Sequence, residues 1–83
     1  MDKLLINVFV PLIDDNFEVK VPINLEMKEA VQLIQEAIVD LSNKAYIVNP
    51  NARLFDKNTG NLINVNNIVK FSGLTNGASI MIL

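Results

Sequence analysis

Met27-Lys28-Glu29-Ala30-Val31-Gln32-Leu33-Ile34-Gln35-Glu36-Ala37-Ile38-Val39-Asp40-Leu41 is the stretch in which the chain takes up a helical period. Met27, Ala30, Val31, Ile34, Ile38 and Leu41 recur at steps of three and four, with Leu33 and Ala37 at the margin of the stripe. Residues at those steps share one face of an α-helix. Lys28, Gln32, Gln35 and Glu36 take the opposite side, and Val39 lies exposed among them. The pattern predicts one helix of about four turns over residues 26–42. Glu26 and Glu29 suit the positive end of its dipole, although neither Asn24 nor Glu26 opens a capping box. A helix with a single apolar stripe must cover one apolar surface, and the rest of the chain reads as strands and turns, so that surface is a sheet.

Upstream, Leu4, Ile6, Val8 and Val10 alternate with Leu5, Asn7 and Phe9, which is the period of a strand with one strongly apolar face. Pro11 fits its end, and Asp14-Asp15-Asn16 is turn chemistry. Phe17, Val19 and Val21 then alternate with Glu18 and Lys20 up to Pro22, so the two runs form an antiparallel hairpin. Downstream, residues 43–51 form a loop in which Tyr46 packs over the helix end. Residues 52–55 and 61–63 read as short strands about the turn Asp56-Lys57-Asn58-Thr59-Gly60. Ile68 is the expected core anchor of residues 64–71, in a short helical turn. Gly73 and Gly77 lie in the loop before a last apolar strand over residues 78–83.

The order is β-β-α-β-β-β. The two terminal strands are the most apolar and belong side by side at the centre, running parallel. The expected fold is an α+β β-grasp, a mixed sheet with one helix packed on one face. Leu54, Ile68, Leu74, Ile80 and Ile82 are expected in its core. Eighty-three residues make a single domain, 1–83. At 51% hydrophobic and 19% charged, it can fill a core.

Composition excludes much chemistry. Cysteine and histidine are both absent, which removes disulfides, thiolate sites and the usual general base. Seven basic residues face nine acidic ones, with Arg53 the single arginine, so the counterion-displacing stripe of a nucleic-acid binder is missing. The apolar run after Lys3 is broken by Asn7 and Pro11 and is too short to span a bilayer. The expectation is a cytoplasmic protein without membrane insertion. Asp56-Lys57-Asn58-Thr59-Gly60 places oxygen ligands at the first and third positions of a calcium loop, but Asn67 stands where the bidentate Glu belongs, so the segment reads as a turn. Asp14-Asp15 reads as a solvated turn. Ser72 and Ser79 lack a histidine base. No catalytic, cofactor-binding or metal site is expected, and the chain is expected not to be an enzyme.

Spacing and register resemble ubiquitin over nearly the whole chain, including Val21 to Met27 between second strand and helix and the tract Asn67-Ile68-Val69-Lys70. The chain is also similar to the YukD/EsaB family, the ubiquitin-like proteins of bacterial type VII (WXG100) secretion systems. Gly73-Leu74-Thr75-Asn76-Gly77-Ala78-Ser79-Ile80-Met81-Ile82-Leu83 carries this resemblance, together with Phe17-Glu18-Val19-Lys20-Val21-Pro22 and the opening strand. A similar domain is fused to the membrane component of some of these systems, and this chain looks like the stand-alone form. The resemblance implies a cytosolic accessory or regulatory role through contacts with secretion components. The alternative is a sulfur-carrier-like or conjugated modifier, which works through a thin mobile Gly-Gly tail. Here Ile80-Met81-Ile82-Leu83 stands in that place.

If Leu4, Ile6, Val8, Leu54, Ile80 and Ile82 point inward, then Leu5, Phe9, Arg53, Phe55, Met81 and Leu83 point away from the helix. The expected partner-binding residues are Leu5, Phe9, Arg53, Phe55 and Met81. Several large apolar side chains together on one face exceed ordinary scatter. Self-association is one way of covering them.

Overall fold

The first apolar run and its partner form β1 (Lys3–Val10) and β2 (Asp15–Pro22), antiparallel from Lys3 opposite Pro22 to Val10 opposite Asp15. The structure is a computed structural model and describes residues 2–83. A 3₁₀ turn, Pro11–Ile13, joins the two strands. Asp14 closes it in the left-handed region at φ 51°, donating its N–H to the Pro11 carbonyl. Leu4, Ile6, Val8 and Val10 of β1 and Phe17, Val19 and Val21 of β2 are all buried.

α1 (Met27–Leu41) covers that face. Glu26 makes no side-chain cap, in keeping with the absent capping box. The Met27 N–H instead donates to the Asn67 carbonyl at 2.8 Å. Residues 67–70 continue along the entry to the helix, with the Val69 and Lys70 N–H groups donating to Leu25 and Ile23 carbonyls. A tertiary contact thus satisfies one of the N–H groups that the first turn of a helix leaves without an intrahelical partner.

Met27, Ala30, Ile34 and Ile38 are buried as the period requires, and Val31 is half-buried. Three positions depart from the expectation. Gln35, placed by periodicity on the polar side, is 2% exposed. Val39, one turn further on the same flank, is half-buried. The loop after the helix causes both: it folds back so that the Tyr46 hydroxyl and the Asn49 N–H both donate to Gln35 Oε1, at 2.8 and 2.7 Å. Tyr46 is buried, as expected of a loop anchor. Leu41, expected in the core, is 58% exposed. It is the last helical residue, and beyond it Asn43 and Lys44 turn the chain back through the left-handed region, so that Tyr46 enters the core instead.

β4 (Ser79–Ile82) runs parallel to β1, pairing Asn7, Val8 and Phe9 with Ser79, Ile80 and Met81. β3 (Leu54–Asp56) runs antiparallel to β4, pairing Leu54, Phe55 and Asp56 with Ile82, Met81 and Ile80. The sheet order is β2-β1-β4-β3, with the first and last strands parallel at the centre. This is the expected β-grasp. Leu54, Ile80 and Ile82 are buried beneath the helix.

Two details correct the sequence reading. The strand expected at residues 61–63 is a single bridge, Leu62 opposite Phe55. Asparagine and threonine side chains around it take backbone N–H groups for local turns: Asn61 donates to Thr59 Oγ1, and Asn66 to Asn64 Oδ1. Val69, in the 3₁₀ turn Val69–Phe71, is the core anchor of the preceding loop, while Ile68 and Leu74 are only half-buried. Among the described residues, no helix is long and apolar enough to cross a membrane.

Candidate functional site on the open sheet face

The face of the sheet away from α1 follows from strand parity. Val8 and Val10 point under the helix, so Phe9 between them points out, and the same holds for Met81 between Ile80 and Ile82. Leu54 is buried and Phe55 follows it on the outer side. The register places Phe9 beside Met81 and Met81 beside Phe55. The bridge adds Leu62 beside Phe55. Asp56 N–H to Asn61 O and Ile63 N–H to Leu54 O flank that pair, so Phe55 and Leu62 are the closely spaced, non-hydrogen-bonded kind. The result is a row across three strands and the bridge: Phe9, Met81, Phe55, Leu62.

Phe9, Met81 and Phe55 are half-buried, and Leu62 is 55% exposed. Part of the burial comes from Lys57, whose Nζ lies 4.7 Å from the Phe9 ring centroid in cation–π range. The next row is Leu83 beside Arg53, joined by backbone bonds in both directions at 2.8 and 3.0 Å. Residues 79–83 are therefore tied into the sheet. The end of the row at Leu62 opens onto a groove of ≈ 540 Å³, lined in part by Arg53, Asn64 and Val65.

Of the five residues expected from the sequence, the structure brings together Phe9, Phe55, Met81 and Arg53. Leu5 stands apart: it is four residues back along β1, about 13 Å away, with exposed Asn7 between and Lys20 opposite. Leu62 and Lys57 are the additions. Pairing the two short strands about the 56–60 turn puts Leu62 opposite Phe55, so that register held the signal. Lys57 continues the outward alternation of Arg53 and Phe55.

The other sequence candidates are turns. Asp56 Oδ1 accepts the N–H groups of Asn58 and Thr59 within its own loop. Asp15 Oδ1 accepts the Asn16 N–H. Burial pushes the Tyr46 phenol above its ordinary pKa, but Tyr46 faces the helix and not this surface.

No protein-family model and no curated protein matches the sequence; the likenesses are structural. The ubiquitin-like domain of an Arabidopsis thaliana protein superposes with a TM-score of 0.66 at 15% identity, covering 100% of this chain and 78% of that one. The fold is ubiquitin-like. A chain of the toluene 4-monooxygenase HD complex is similar at TM-score 0.76 and 14% identity, over 96% of this chain and 95% of that one. A chain of the MycP5-free ESX-5 inner membrane complex is similar at TM-score 0.71 and 10% identity; this chain is covered completely and spans 21% of that one. Ubiquitin-like architecture thus occurs in very different settings, and function has to be argued from the face each member presents.

Proposed function

We propose that this chain is a non-catalytic ubiquitin-like accessory protein that works through contacts made by its open sheet face, as a cytoplasmic component of a bacterial type VII secretion system. The observation that carries the contact reading is the row Phe9, Met81, Phe55 and Leu62, with Arg53 and Lys57 beside it. Aromatic and methionine side chains with arginine are the types enriched at interface centres. The secretion reading is supported by the resemblance of residues 17–22 and 73–83 to the YukD/EsaB family. The likeness to part of a chain in the ESX-5 inner membrane complex also supports it.

The test uses Phe55→Ala and Leu62→Ala in the producing bacterium. Both residues lie on the outer face, so the melting temperature should move little. Capture of secretion components should weaken by about 1–3 kcal/mol per anchor, roughly 5- to 150-fold, and secretion should fall. Folded variants with undiminished capture and secretion would refute the contact surface. Undiminished secretion after deletion of the whole gene would refute the pathway.

A further inference from the structure

The molecule is electrically two-sided. On the open sheet face, β1, β4 and β3 with their flanking residues present Lys3, Arg53 and Lys57, against a single carboxylate, Asp2, which lies beside Lys3 and Leu5 at the end of β1 away from the aromatic row. The edge strand β2 adds Glu18 and Lys20, which cancel. The formal charge of this face is therefore +2 in a chain whose net charge is −2. The helix side is the reverse. Glu26, Glu29, Glu36 and Asp40 are exposed there, against Lys28.

The carboxylates are not evenly spread. At 3.6 residues per turn, Glu29, Glu36 and Asp40 fall within about 40° of one another on the helix surface, next to Leu33 and Ala37. Leu33, Ala37 and exposed Leu41 run at four-residue steps along the flank that overlooks β2. A shallow groove of ≈ 510 Å³ continues past Leu33 to Leu25. Each side of the molecule thus carries an apolar line bordered by charge. On the sheet side it is the aromatic row with Arg53 and Lys57; on the helix side it is the leucine stripe with Glu18, Glu29, Glu36 and Asp40, which outnumber Lys20 and Lys28 along the same grooves. The signs are opposite, so two faces of one sequence complement each other, whereas two sheet faces brought together would oppose like charges.

We propose that copies of this chain associate front to back, the cationic aromatic face of one copy seated on the acidic leucine flank of the next. Such a contact is heterologous: each copy keeps one unused face, so assembly continues into chains or closes into a ring. The contact occupies the sheet face assigned to the secretion partner, so self-association and partner capture compete for it. The proposal shares that surface with the proposed function but does not depend on who the partner is.

The test is the mass of the purified full chain by light scattering across a concentration series, with two charge-reversed variants. One is Arg53→Glu with Lys57→Glu; the other is Glu36→Lys with Asp40→Lys. All four positions lie at the surface, and circular dichroism checks that the fold is kept. The wild type should grow in mass with concentration at low salt. It should return to monomer as salt rises from about 0.1 to about 1 M, where the screening length falls from about 10 to about 3 Å. Each variant alone should stay monomeric, since both of its contact faces then carry one sign. An equimolar mixture of the two should assemble again, because each variant's sheet face is complementary to the other's helix flank. A wild type monomeric throughout overturns the proposal, as does a mixture that fails to assemble. A helix-side variant that still dimerises, with the sheet-side variant monomeric, replaces it with a symmetric sheet-to-sheet contact. The helix-side variant also separates the two readings, since its sheet face is intact. If it stays monomeric and still captures the secretion partner, both readings hold. If its capture is lost, the proposed function fails while the front-to-back contact stands.

Discussion

Gln35→Ala is the substitution that best separates the structure from its sequence pattern. Read by period, Gln35 belongs to the solvated side of the helix, where truncation costs within about 0.5 kcal/mol. In the structure it is 2% exposed, and its Oε1 accepts from both the Tyr46 hydroxyl and the Asn49 N–H. Truncation strands both donors at once. A buried donor left without an acceptor costs about 1–3 kcal/mol. Tyr46 is buried and carries the full penalty, whereas Asn49 is exposed and recovers part of it from water. The expected loss is about 2–4 kcal/mol, a large share of the 5–15 kcal/mol typical of a whole domain. Tyr46→Phe removes one donor while Oε1 keeps the Asn49 N–H, so it should cost only about 0.5–1.5 kcal/mol. Urea unfolding measures both, as shifts in midpoint at constant m-value. The double variant should cost less than the sum, because the two side chains share one bond. A Gln35→Ala loss under about 0.5 kcal/mol, or one equal to that of Tyr46→Phe, would refute the account of the loop as a clamp on the helix flank.

Other consequences are simpler. Ile34→Ala opens a cavity at the centre of the helix–sheet contact and should cost about 2–5 kcal/mol, read by the same urea titration; a surface-sized loss would mean the helix is turned the other way. Gly77 sits at φ +85° with no atom within 4 Å of an added Cβ, and its N–H donates to the Leu5 carbonyl at 2.7 Å. Gly77→Ala should therefore cost about 1–2 kcal/mol from the backbone alone. Burial raises the Tyr46 phenol pKa, so the folded state holds that proton more tightly than the unfolded chain does. The resulting stability is full below the unfolded value of about 10 and is lost as pH rises through the folded one. Tyr46→Phe should lack that fall, and since Tyr46 is the only tyrosine, the tyrosinate absorbance follows it alone. A midpoint at or below about 10 would contradict the burial.

The elements with a clean period were legible in the sequence. β1 alternates over seven residues and β2 over five, the helix stripe repeats through four turns, and the strongly apolar terminal strands belong in the middle of a sheet. Legibility failed where a residue's environment is set by something distant. Gln35 and Val39 are covered by a loop whose path depends on left-handed residues 43 and 44, and neither asparagine nor lysine announces that conformation as a glycine would. Leu41 continues the stripe perfectly in angle, yet the chain turns back at the next residue. Ile68 and Val69 are neighbours of equal apolarity, and only the phase of the 3₁₀ turn decides which of them enters the core.

The candidate site follows the same logic one level up. Parity along a strand tells which side chains leave the core, and it separated Phe9, Phe55 and Met81 from their buried neighbours correctly. Parity is blind to position along the strand axis, so it grouped Leu5 with residues about 13 Å away. It also passed over Leu62, whose place depends on register across the 56–60 turn. Charge shows the gap most plainly. A net charge of −2 describes a mildly acidic protein, yet the sheet face is cationic and the helix flank anionic. Summation over the chain averages away the separation that steers a partner, which is a property of faces and not of composition. A low net charge built from two opposed faces also leaves little overall repulsion between copies, so the local complementarity of those faces can act.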